Sequence, residues 1–146
     1  MNAHPLPEGY EISDDPARLD FERIHRFLAH ESYWAKNIPR ALVEQAARHS
    51  LTWGVYALAG QVGFARVVSD RTTFAYLCDV YIEADHRGHG LSKALVARIL
   101  AHPELQGLRR WMLVTADAHT LYEPFGWVVP GKPERYMEIH RPDIYL

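Results

Sequence analysis

Apolar residues recur along the chain in two periods, and the switches between them outline the elements. Residues 9–13 alternate weakly and predict a first edge strand. Asp14, Asp15 and Pro16 read as a helix entry, because proline suits the first helical turn. Leu19, Ile24, Phe27 and Leu28 then give a rough apolar stripe for a first helix. Residues 32–39 form an aromatic-bearing loop. Residues 40–49 predict a second helix with Leu42, Val43, Ala46 and Ala47 on its buried side. Two strand-like runs, 51–58 and 61–68, flank Ala59-Gly60 as a two-residue hairpin turn. Asp70-Arg71-Thr72 makes the next turn, and 73–82 is a third strand.

The second half opens on a helix. Leu91, Ala94, Leu95 and Ile99 stand at helical spacing, and Pro103 closes the run. Residues 111–115 are a short apolar strand. The intervening helix implies a right-handed crossover that lays this strand parallel to 73–82. A short helix over 118–124 follows, and 127–129 and 136–139 read as closing strands. The pattern is α/β (α+β): one domain over 1–146, a mixed, mostly antiparallel sheet flanked by helices, and a flexible segment over 1–8.

Composition narrows the function. The chain has 146 residues, 48% of them hydrophobic and 23% charged, with a net charge of −2. No basic stripe suggests a nucleic-acid partner. Residues 1–8 hold no apolar run, so neither a signal peptide nor a membrane span is expected. The single cysteine, Cys78, can form no internal disulfide and suits a reducing cytoplasm.

The most informative stretch joins strand to helix: Asp79-Val80-Tyr81-Ile82, then Arg87-Gly88-His89-Gly90-Leu91-Ser92. A glycine-bearing turn feeding a helix start aims unpaired N–H groups and the helix dipole at one spot. That is an anion site suited to phosphate or pyrophosphate. Arg87 adds a fixed positive charge. The spacing matches neither the nucleotide P-loop, since Lys93 stands where glycine is required, nor the dinucleotide fingerprint. His86 and His89, with Asp85 beside them, invite a metal reading. A zinc site needs further strong ligands that the lone Cys78 does not supply, so no metal is expected.

Arg87-Gly88-His89-Gly90-Leu91-Ser92 resembles the Arg/Gln-x-x-Gly-x-Gly/Ala signature of the GCN5-related N-acetyltransferases (GNAT), with serine at the last position. Leu121-Tyr122-Glu123-Pro124-Phe125-Gly126-Trp127 resembles the family's Tyr-x-x-x-Gly-Phe segment, with Trp127 in place of phenylalanine. The element order matches that family from about Tyr10 to Ile139.

The resemblance implies acetyl transfer from acetyl-CoA to a primary amine, by direct attack in a ternary complex. Backbone N–H groups of Arg87, Gly88, His89, Gly90, Leu91 and Ser92 would hold the pyrophosphate. Val80, Tyr81 and Ile82 would offer the pantetheine arm a strand edge, with Asp117, His119 and Tyr122 also along the cosubstrate. A bulge on that edge would free an N–H for the thioester carbonyl. Tyr122 resembles the family's general acid.

An alkyl amine of pKa about 10 must lose a proton before it attacks. Asp79 leads as the base; Asp117, His119 and Glu83 are rivals. Tyr33, Trp34, Cys78 and Asp79 are the candidate acceptor contacts. A small-molecule amine is the expected partner, without nucleic acid or membrane, and edge-strand pairing would allow a homodimer. A non-catalytic acyl-CoA binding or sensing module on the same fold is the alternative; it would need neither Tyr122 nor Asp79.

Overall fold

The computed structural model describes residues 4–146. Its elements in chain order are β1 (Glu11–Ser13), α1 (Phe21–His30), α2 (Arg40–Arg48), β2 (Leu51–Ala57), β3 (Gly60–Ser69), β4 (Phe74–Ile82), α3 (Leu91–Leu100), β5 (Arg110–Leu113) and α4 (His119–Tyr122). The strands form one sheet in sequence order, antiparallel throughout except for the parallel pair β4–β5. The crossover through α3 is what permits that parallel pair.

Local chemistry explains where the helices begin. Asp15 and Pro16 do not start α1. They build a 3-10 turn over Pro16–Arg18, with the Asp15 carboxylate capping Ala17 N–H. Leu19 is extended and interrupts the helix. Asp20 then caps α1 through Arg23 N–H, while its own N–H donates to the buried Gln61 side chain at 2.7 Å. α2 buries Val43 and Ala47 as expected, but Leu42 is 40% exposed. The α2 stripe is therefore narrower than its apolar content suggests.

The sheet separates two apolar clusters. On one side α3 supplies Leu91, Leu95, Val96 and Ile99 against Trp53, Val55, Val67 and Leu77. On the other, α1 and α2 supply Ile24, Phe27, Leu28 and Val43 against Phe64 and Tyr81. Phe27 and Tyr81 stack face to face, 3.9 Å between centroids. With both faces covered, β2 is a nearly continuous buried run rather than an alternating one. Leu6 also packs on the α3-side cluster; of the segment 1–8, residues 1–3 lie outside the described residues.

Two further features differ from the sequence expectation. The β2–β3 turn is Leu58-Ala59, one residue earlier than expected, because Gly60 pairs with Ala57 and belongs to the ladder. The closing strands do not form: 127–129 and 136–139 join no ladder. Trp127 packs edge-on against Trp111 and Tyr122, at 5.9 and 5.5 Å, which holds the chain away from β5. Pro130, Pro133 and a 3-10 turn over Pro133–Arg135 then carry it onward without pairing.

Candidate active site

The site grows from a bulge in β4. Arg66 pairs with Cys78 and Phe64 with Tyr81, so Ala65 alone faces both Asp79 and Val80. Asp79 absorbs the extra residue at φ 55°, a left-handed conformation that aspartate tolerates better than most side chains. On the opposite edge, β4 pairs with β5 only from Phe74 to Leu77. From Cys78 to Ile82 that edge has no strand partner among the described residues. The two parallel strands thus part where the bulge begins.

Below this opening lies a cleft of about 890 Å³. Tyr33, Trp34, Cys78, Asp79, Val80, Asp117 and Tyr122 all line it, so seven of the predicted residues converge from four segments. Tyr81 and Ile82 turn their side chains into the core, 5% and 4% exposed, and can offer only backbone. His119 is exposed and lines a neighbouring cavity instead. Glu83 does not line the cleft; Arg23 Nη2 donates to both its oxygens, at 2.8 and 2.7 Å.

Asp79 is held by two donors. Trp34 Nε1 donates to one oxygen at 2.8 Å and Arg66 Nε to the other at 2.9 Å. Arg66 also donates to Ser50 Oγ. Burial disfavours the Arg66 charge, yet the surrounding groups, Asp79 foremost, together hold its pKa above the usual value. The sequence carried no signal for Arg66, a lone arginine within an apolar strand. Nor did it show that Trp34 reaches Asp79. Across the cleft mouth, Ala116 N–H donates to the Tyr33 hydroxyl at 2.9 Å, tying the α1–α2 loop to the chain after β5.

Two protons in the cleft are firmly held. Burial pushes the Tyr122 hydroxyl up to about 12, with Tyr33 adding to the shift. Burial and the neighbouring Asp79 charge push the Cys78 thiol up to about 12. Cys78 is therefore a neutral thiol at physiological pH and a poor nucleophile.

Beyond the bulge, residues 87–92 form the exposed turn into α3. Gly88 and Gly90 take positive φ, 84° and 75°, and Gly90 caps α3 without a side-chain hydrogen bond. Among the described residues, no acceptor takes the N–H of Gly88, His89, Gly90, Leu91 or Ser92. A Cβ on Gly88 or Gly90 would meet nothing within 4 Å. The turn is thus open above and rich in free donors, the arrangement a pyrophosphate requires. Arg87 Nε donates to the Ile82 carbonyl at 2.9 Å, clamping the turn to the end of β4. His86 Nδ1 lies 2.8 Å from the Tyr10 hydroxyl, and the described residues contain no cluster of three metal-ligating side chains.

A bulged strand, a splayed parallel neighbour and a donor-rich turn into a helix define an acyl-CoA-type transferase fold. The comparisons agree. The acetyltransferase (GNAT) domain model matches residues 48–129. A Gibberella zeae protein named as an acetyltransferase is 32% identical over 135 residues, covering 77% of this chain and 75% of its own. A crystal structure from Xanthomonas campestris pv. campestris, described as an acetyltransferase of the GNAT family, is 48% identical with a TM-score of 0.93, over 97% of this chain and 99% of that one. A GNAT acetyltransferase from Elizabethkingia anophelis with acetyl-CoA bound shares the fold at TM-score 0.63 and 12% identity, over 90% and 88% of the two chains. The chain belongs to the GNAT acetyltransferase family.

Proposed function

We propose that the protein transfers an acetyl group from acetyl-CoA to the primary amine of a small molecule, by direct attack in a ternary complex. The observation that carries this reading is the Asp79–Val80 bulge. It lies between a donor-rich turn on one side and a cleft holding Tyr122 on the other.

In this scheme the free N–H groups of 88–92 hold the pyrophosphate, and the unpaired β4 edge aligns the pantetheine amides. The amine nitrogen attacks the thioester carbonyl carbon, forming C–N. The developing oxyanion is stabilised by backbone N–H at the bulge. Collapse breaks C–S. The proton released by the amine goes to Asp79, directly or through water; each Asp79 oxygen keeps a lone-pair direction beyond its existing donor. Tyr122 donates a hydrogen bond to the departing sulfur. With the tyrosine near 12 and a thiol near 8.5, full transfer is uphill, so the Tyr122 contribution is stabilisation of the thiolate. Cys78 forms no covalent intermediate. Tyr33 and Trp34 wall the acceptor side, where aromatic faces suit an apolar or cationic amine. No helix among the described residues is long and apolar enough to cross a membrane; we place the activity in the cytoplasm on the strength of the single, unpaired Cys78.

The test is calorimetric titration with acetyl-CoA, followed by thiol-release assays over a panel of amines. Binding in the micromolar range with amine-dependent thiol release supports the reading. Binding without turnover for any amine would favour the non-catalytic acyl-CoA module. Absence of binding would remove both.

A further inference from the structure

β4 and β5 are paired as far as Leu77 and Leu113 and part beyond them. Two consecutive residues of the α1–α2 loop reach across that gap. Trp34 Nε1 donates to Asp79 Oδ1 at 2.8 Å on the β4 side. The Tyr33 hydroxyl accepts the Ala116 N–H at 2.9 Å on the β5 side. Both attachment points lie past the last β4–β5 pair, where no ladder bond holds the two strands together. The two rings meet edge to face, 5.0 Å between centroids, so the pair acts as one unit rather than as two independent side chains.

Every end of this span is fastened. Ser32, 2% exposed, donates from Oγ to the Leu28 carbonyl at 2.6 Å and accepts the Ala35 N–H at 3.1 Å. The Asn37 N–H donates to the Ala29 carbonyl at 3.0 Å. The loop is thus tied to the end of α1 on both sides of residues 33–34. On the β5 side, Thr115 Oγ1 accepts the Ala118 N–H at 3.0 Å, a side-chain turn that passes the position of Ala116 on to the start of α4. Tyr122 is the last residue of α4. On the β4 side the tie ends on the Asp79 carboxylate itself, whose other oxygen Arg66 holds. Asp79 and Tyr122 therefore sit at opposite ends of one continuous run of contacts.

We propose that Tyr33 and Trp34 form a brace that sets the span between Asp79 and Tyr122, and so act as positioning residues for acetyl transfer, a role that rests on the acetyl-transfer reading of the cleft. Walling an acceptor needs only aromatic faces. A brace needs the indole N–H and the phenol oxygen, both of which phenylalanine lacks. The span matters because misplacing reacting groups by about 1 Å can cost about a hundredfold in rate.

The experiment compares Tyr33→Phe, Trp34→Phe and the double substitution with the wild type. The two side chains are 52% and 42% exposed and belong to neither core cluster, so phenylalanine leaves no core cavity. Each single substitution should lower kcat by about ten- to a hundredfold. The acetyl-CoA dissociation constant and the amine KM should stay within about threefold, since the aromatic faces remain. The double substitution should cost no more than about threefold beyond the worse single one, because breaking either end already releases the span. Losses that multiply would mean two separate contacts and overturn the brace. A raised KM with unchanged kcat would leave only a wall for the acceptor and overturn it as well. Amide hydrogen exchange needs neither amine nor acetyl-CoA. Trp34→Phe removes no hydrogen bond of Ala116, yet it should speed exchange of the Ala116 amide about tenfold. Unchanged exchange there overturns the brace, and faster exchange with unchanged kcat overturns the positioning role. A wild type that releases no thiol with any amine would remove the acetyl-transfer reading and the positioning role with it, whereas the Ala116 amide would still report whether the brace exists.

Discussion

Arg66 Nε donates to Asp79 Oδ2 at 2.9 Å, with the two side chains only 19% and 13% exposed. This ion pair stitches β3 to the bulge of β4 at the mouth of the cleft. The carboxylate that leads as the base is thus also the group that fixes the bulge. Asp79→Asn keeps the left-handed conformation and an acceptor for Trp34 but leaves Arg66 uncompensated. Removing one partner of a mostly buried pair should cost about 3 kcal/mol. Asp79→Ala should cost a further ~1 kcal/mol, because alanine is disfavoured at φ 55°. Denaturant unfolding of the two variants measures the order, and equal stabilities would contradict the strain argument.

Tyr122→Phe should lower kcat by roughly ten- to a hundredfold, the low end of general-acid effects, with little change in acetyl-CoA affinity. The hydroxyl has no hydrogen-bond partner among the described residues, and phenylalanine keeps the packing against Trp127. Steady-state kinetics together with calorimetry separate the two quantities. Full activity would remove Tyr122 from the mechanism.

Gly90→Ala probes the turn. The substitution should cost about 1 kcal/mol of stability through its positive φ, since its Cβ meets no protein atom. Acetyl-CoA affinity should fall at least about tenfold, because a methyl group would stand where a pyrophosphate approaches the backbone. An unchanged dissociation constant would mean that the open face of the turn is not the phosphate site.

The held protons predict an alkaline loss of stability. Cys78 is raised from 9.0 to about 12 and Tyr122 from 10.0 to about 12. A group whose folded pKa is raised keeps its stabilisation below the unfolded pKa and loses it as pH climbs toward the folded one. Stability should therefore fall from about pH 9, by ~1.4 kcal/mol per pH unit for one proton, and more steeply above pH 10 as Tyr122 joins. Cys78→Ser removes the first component. Urea unfolding at a series of alkaline pH values tests this; an identical pH slope for wild type and variant would refute it.

Much of this architecture was legible in the chain because it depends on local rules. Glycines at 88 and 90 just ahead of an apolar helix must make a turn with free N–H groups. The 3.6-residue spacing of Leu91, Ala94, Leu95 and Ile99 must bury one face. Residues 51–58, 61–68 and 73–82 have no other use for their β-branched and aromatic side chains than a sheet. What stayed hidden depends on contacts distant in sequence. Arg66 and Asp79 meet only because the bulge sets their register. Asp20, not Asp15, caps α1 because Leu19 is extended and Gln61, forty-one residues away, accepts the Asp20 N–H. The strand-like 127–129 and 136–139 join no ladder because the Trp111–Trp127–Tyr122 cluster spaces them off β5, and propensity cannot supply a pairing partner. The sequence by itself determined most of the elements and the open glycine turn at 88–90, since both follow from backbone geometry within a few residues. Only the tertiary structure decided which side chains face one another across the cleft, because that depends on strand register and on how far β4 and β5 part.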